Sequence, residues 1–248
     1  MSGFGGKIAI TVGNQKGEIS PSSGLIVRIE APKPVEGASG GKLDLVFVID
    51  TTGSMSDKID SLLETCQRFV DELAGLSLSH RIAVVAFGDL TVPGDDITTF
   101  GFTSRVEEVK RTLGNIPRYG GGGNEGESSF EALEKAIALP FRPNTVKAIV
   151  LITDEPALRH NIATEDLLGR LRSQEILAFV VSPPEEYYQQ IARQTGGVWY
   201  QVSASTDFTD LIAMFQKLAA RISSVVSDVY RIGSGSVSKY LQLKPPNT

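Results

Sequence analysis

The chain is predicted to fold as an α/β domain, a mostly parallel sheet flanked by helices on both faces. Two near-continuous apolar runs, LDLVFVID at 43–50 and KAIVLIT at 147–153, read as central strands covered on both sides. From Leu43 to about Ser227, further apolar strands alternate with segments of helical periodicity, as in a parallel sheet joined by crossover helices. A small β extension is expected at the termini.

The extension comes first. KIAITV at 7–12 and LIVRIE at 25–30 read as short strands separated by Gly, Ser and Pro. APKPVEGASGGK at 31–42 lacks apolar periodicity and marks a connection between units. The expected division is a β extension and linker over 1–40, the α/β domain over 41–228 and a tail over 229–248. Within the tail, KYLQL is expected to pair with the N-terminal strands.

The α/β elements follow in order. After the strand at 43–50, a helix from about Ser56 carries Ile59, Leu62, Leu63, Cys66, Phe69, Val70 and Leu73 along one stripe. RIAVVAF at 81–87 is the next strand and ITTFGF at 97–102 an edge strand; Thr103 or Ser104 then caps a helix with Val106, Val109 and Leu113. Beyond the glycines at 120–123 lies a helix with Phe130, Leu133, Ala136 and Ile137, and then the strand ending at Asp154. Thr164 starts another helix, with Glu165 and Asp166 suited to its positive end. ILAFVV at 176–181, a helix at 184–194, VWYQV at 198–202 and a long helix from Asp207 complete the series.

Composition narrows the function. With 29 acidic against 24 basic residues in 248, the net charge of -5 gives no electrostatic footprint for nucleic acid. Cys66 is the single cysteine and sits in an apolar helical stripe, which excludes an internal disulfide and favours a buried thiol. No stretch approaches a membrane span, and the first residues lack the pattern of a secretory signal, so a cytoplasmic location is expected.

In open α/β sheets ligands bind beyond the carboxyl ends of the strands, so the loops there are the candidate site. Asp50-Thr51-Thr52-Gly53-Ser54 presents a carboxylate and two hydroxyls at alternate positions. These hard oxygen donors suit an octahedral ion such as magnesium, with manganese as a close substitute; calcium ordinarily takes more carboxylates. Capping of the following helix by Thr52 or Ser54 is the alternative use of the same residues. Two further strand-end segments are YGGGGNEGESSFEAL at 119–133 and AIVLITDEP at 148–156. The glycine run has no Lys-Ser or Lys-Thr after it, which argues against a phosphate cradle.

VFVIDTTGSM resembles the D-x-S/T-x-S metal-ion-dependent adhesion site of von Willebrand factor A domains, and the alternation covers such a domain over roughly 43–227. The second segment is similar to the G-G-G-D-x-P-E variant of hemicentin-like and many bacterial members, with Asn124 in place of Asp and Gly126 in place of Pro. The resemblance implies a Rossmann-like fold and a divalent cation held by Asp50, Thr52 and Ser54. From the second loop, which lacks the threonine of more familiar members, Asn124 or Glu127 would supply the oxygen, and Asp154 would act through water. Glu125, Glu155, Arg159 and His160 would lie on the rim.

The resemblance also implies a task, capture of a protein partner through an Asp or Glu carboxylate at an open metal position, with no enzymatic role. Direct coordination by Glu127 would weaken that attraction. Two alternatives stand beside it: a scaffold that uses its β extension while the metal loop is vestigial, and a metal-dependent hydrolase. Little supports the latter, because the two histidines, His80 and His160, fit no triad and SVSK at 236–239 lies in a polar tail.

Overall fold

The computed structural model describes residues 8–12, 15–19, 41–56, 59–74, 79–122, 126–158, 162–202 and 208–243. The chain divides into two units, Met1–Lys33 and Pro34–Thr248. In the first, β1 (Ile8–Val12) pairs antiparallel with β2 (Gln15–Ile19), Ile8 opposite Ile19. The expected strand at 25–30 lies outside the described residues; the partner of β1 is the nearer segment, a polar run that apolar patterning does not pick out.

The second unit is α/β. Its strands are β3 (Lys42–Asp50), β4 (Ser79–Phe87), β5 (Ile97–Thr103), β6 (Val146–Ile152), β7 (Ile176–Ser182) and β8 (Trp199–Gln201), in the spatial order β5-β4-β3-β6-β7-β8. All neighbours are parallel except β5, which runs antiparallel to β4 at one edge. The chain leaves β3 towards β4 and later returns to its other side as β6. The loops after β3 and β6 therefore part company at a switch point, the place where such sheets bind ligands.

Strand alternation distributes the core. Leu43, Leu45, Phe47 and Ile49 of β3 face α1 (Ile59–Ala74), α2 (Val106–Gly114) and α6 (Phe208–Arg231); Val46 and Val48 face α3 (Ser129–Ile137), α4 (Thr164–Ser173) and α5 (Glu186–Thr195). All seven predicted stripe residues of α1 are buried, Phe69 meeting Phe47 edge to face at 5.6 Å between centroids. Each such aliphatic or aromatic side chain contributes about 1.5–3 kcal/mol by leaving water. The helix after β3 begins at Ile59, because Gly53–Met55 first forms a 3-10 turn. Before α2, Thr103 accepts from the Arg105 amide at 3.1 Å, but Arg105 itself is the N-cap residue.

The buried polar residues of β3 are Asp44 and Asp50, towards opposite ends. Asp44 is fully buried and takes Arg81 Nη2 at 2.6 Å, Arg142 Nε at 2.8 Å and the Arg142 amide at 2.8 Å. Burial alone would raise its pKa, but the two arginines outweigh that and hold it below the usual carboxylate value.

The tail differs from expectation. KYLQL belongs to α7 (Val237–Leu243), not to a strand pairing with the N-terminus. Val237 and Tyr240, three residues apart, are its buried contacts, a helical spacing that a reading of KYLQL alone misses. Glu175 accepts from the Ser238 amide at 3.2 Å and Ser236 Oγ at 3.0 Å, satisfying a donor of the first turn. No helix among the described residues is long and apolar enough to cross a membrane.

Candidate metal centre

β3 delivers Asp50 to the switch point with its side chain fully buried. Asp50 Oδ1 accepts from the Thr52 amide at 3.0 Å and from Thr52 Oγ1 at 2.6 Å; Oδ2 accepts from Thr153 Oγ1 at 2.6 Å. Thr52 Oγ1 lies 3.3 Å from Ser54 Oγ, which donates to Asp154 Oδ1 at 2.8 Å. A chain of oxygens thus runs from one carboxylate to the other. Thr52 makes no side-chain cap, so its hydroxyl serves this chain and not the turn that follows.

The second loop closes over the first. Gly53 N donates to Gly120 O at 3.2 Å, and a Cβ on Gly53 would stand 2.8 Å from that same oxygen. Only glycine permits so close an approach. Gly121, at φ +72°, lies against both Glu127 and Thr52: a Cβ there would be 3.1 Å from Glu127 Oε1 and from Thr52 Cβ. The loop between β4 and β5 fixes this segment, Asp95 Oδ1 accepting from the Gly120 amide at 3.1 Å and Oδ2 from the Gly121 amide at 2.9 Å.

Glu127 is 4% exposed, and its Oε2 is buried with no hydrogen-bond partner among the described residues. Its backbone is held by the third loop: Glu127 N donates to Pro156 O at 2.9 Å, Leu158 N donates to Glu127 O at 3.0 Å, and Glu127 and Ala157 form a parallel bridge. Burial, then the Asp50 and Asp89 carboxylates, push Glu127 up to about 8. Burial is also the main reason that Asp50 rises to about 6, against the hydrogen bonds from Thr153 and Thr52.

Those two shifts and the bare Oε2 describe acids short of positive charge. None of the described groups bonded to Asp50 is cationic. An oxygen-only set of carboxylates and hydroxyls fits a hard divalent cation. Among the described residues no three His, Cys, Asp or Glu side chains form a cluster of their own, so the fit depends on the hydroxyls, with Asp154 standing one hydroxyl away.

Asp50, Thr52, Ser54 and Asp154 are therefore joined by direct hydrogen bonds, and Glu127 lies against Thr52. Asn124, Glu125, Arg159 and His160 fall outside the described residues. Sequence reasoning missed three contributors. Thr153 was concealed as the last letter of an apolar strand, although a hydroxyl just before a strand-end Asp is a usable signal. Asp89 and Asp95 follow the carboxyl end of β4, where the same search applies; Asp89 is fully buried.

A family model described as von Willebrand factor type A domain matches residues 44–217. A curated protein from Dictyostelium discoideum, "Alpha-protein kinase vwkA", is 29% identical over 119 residues, which are 46% of this chain and 18% of that protein. Among solved structures, proximal thread matrix protein 1 from the mussel byssus, with a zinc-occupied MIDAS motif, aligns with TM-score 0.59 at 19% identity, over 74% of this chain and 46% of the other. A further structure of that protein gives TM-score 0.56 at 17% identity, over 73% and 46%. The chain thus spans less than half the length of each of these relatives, and the structural likeness concerns the fold.

Proposed function

We propose that this chain, which belongs to the von Willebrand factor type A domain family, is a divalent-cation-dependent protein-interaction module. Asp50, Thr52, Ser54 and Glu127 would hold the ion, with Asp154 acting through Ser54 and water; Asn124 is the other oxygen donor available from the second loop. The observation that carries the reading is the contrast along β3. Asp44 is buried against two arginines, while Asp50 is equally buried and its partners among the described residues are hydroxyls and an amide.

A bound cation supplies Lewis acidity and an attachment point for an oxygen ligand. The chain's own groups do the rest: Thr153 and Thr52 orient the Asp50 carboxylate, and Ser54 ties Asp154 to the same loop. Magnesium or manganese matches this oxygen set, and a partner's Asp or Glu is the proposed ligand from outside. Two carboxylates close to a divalent ion leave it little net charge, so capture is expected to be moderate in strength.

No enzymatic step is proposed. The kinase designation belongs to a relative of which the matched segment is 18%. Titration calorimetry with magnesium and manganese tests the metal reading, wild type against Asp50→Ala. Binding by wild type alone supports it; equal heats for both, or none for wild type, overturn it. Partner capture lost on addition of chelator tests the interaction reading.

A further inference from the structure

Two consecutive tyrosines from α5 reach the metal loops from below. Tyr187 Oη accepts from the Ala157 amide at 2.8 Å, and Tyr188 Oη lies 3.2 Å from Glu155 O, to which it donates. The pair therefore brackets Pro156. Tyr188 Oη also lies 2.7 Å from Ser129 Oγ at the start of α3, immediately beyond the second loop.

What they hold is the part of the third loop that carries Glu127. Pro156 O accepts the Glu127 amide, and Ala157 is the bridge partner of Glu127. On the other side of Glu155 lies Asp154, bound to Ser54, and before it Thr153, whose Oγ1 accepts from the Glu155 amide at 3.2 Å and donates to Asp50. Tyr188 is fully buried and the rings pack closely, Tyr187 tilted against Tyr188 at 4.6 Å between centroids and Phe130 edge to face with Tyr187 at 5.4 Å, so the hydroxyls have little freedom.

We propose that Tyr187 and Tyr188 are positioning residues for the metal centre, fixing the Glu155–Ala157 backbone so that Glu127 and Asp154 converge on the Asp50 loop. This rests on the reading that the loop binds a divalent cation. Neither tyrosine touches the ion; both act through the third loop. Outer partners of this kind set the approach of the direct ligands.

The test uses the full chain with Tyr187→Phe, Tyr188→Phe and the double variant, titrated with manganese and followed by amide hydrogen exchange without metal. Each phenylalanine keeps the ring packing and removes one hydroxyl. Manganese affinity is expected to fall about tenfold or more in the double variant, the scale of losing outer-shell partners. Exchange at Ala157 and Glu127 is expected to quicken while the core of β3 stays protected. Unchanged manganese affinity in all three variants, beside a wild type that binds, overturns the positioning role alone. A wild type that binds no manganese overturns the metal reading and this inference with it. Tyr187 is only partly buried, so its variant stays folded and informative if Tyr188→Phe does not.

Discussion

Asp44 and Asp50 project from the same face of one strand, both fully buried, yet among the described residues Asp44 is met by two guanidinium groups and Asp50 by hydroxyls and an amide. Six residues of strand, about 20 Å, separate a carboxylate held by arginines from one held by hydroxyls and an amide. Substitution should expose the difference. Asp44→Ala strands Arg81 and Arg142 and is expected to cost about 3–5 kcal/mol in urea unfolding. Asp50→Asn in chelator should cost far less, and should abolish any rise in melting temperature on adding magnesium. Equal losses for the two variants would contradict this account.

The two raised carboxyls predict how pH acts. Glu127 moves from 4.5 to about 8 and Asp50 from 3.8 to about 6, so between those values the folded state binds more protons than the unfolded one. Their contribution to stability is present below the unfolded values and is lost as pH rises through the folded ones. Without metal, the melting temperature should fall from about pH 5 to pH 8 in this respect. With saturating magnesium the fall should flatten, since the ion displaces the same protons. Calorimetric scans with and without chelator decide it; parallel pH curves would count against a cation at this site.

Thr153 donates to Asp50 Oδ2 and accepts from the Glu155 amide. Thr153→Val preserves shape and removes both bonds. Metal affinity should drop about tenfold, as for other outer-shell losses, with little change in secondary structure by circular dichroism. A variant that binds manganese as tightly as wild type would remove Thr153 from the site.

Gly53→Ala places a methyl 2.8 Å from Gly120 O, a backbone atom that cannot swing aside. The first and second loops must then separate, at a cost of about 1–3 kcal/mol, the usual range for overpacking. The accompanying sign is quicker proteolysis within 119–126. Wild-type stability and wild-type cleavage together would show that the loops do not need this contact.

The sequence made the α/β alternation legible because buried parallel strands leave long apolar runs and α1 leaves an unbroken stripe. Asp50, Thr52, Ser54 and Asp154 were legible because their spacing is local or sits at a strand end. Thr153, Asp89 and Asp95 were not, since their roles depend on which strands become neighbours: β6 beside β3, and β4 on the other side. The strand β2 and the helical state of KYLQL were not legible for a related reason. Short segments carry too little periodicity to set strand against helix, and packing partners decide.

Both margins of the six-stranded sheet are poor templates for another strand. β8 has three residues, and β5 pairs with β4 through a register shift between Ile82 and Val84. Short or irregular margins discourage edge-to-edge growth. Accretion of like chains along the sheet is thereby disfavoured in this unit, at both of its margins.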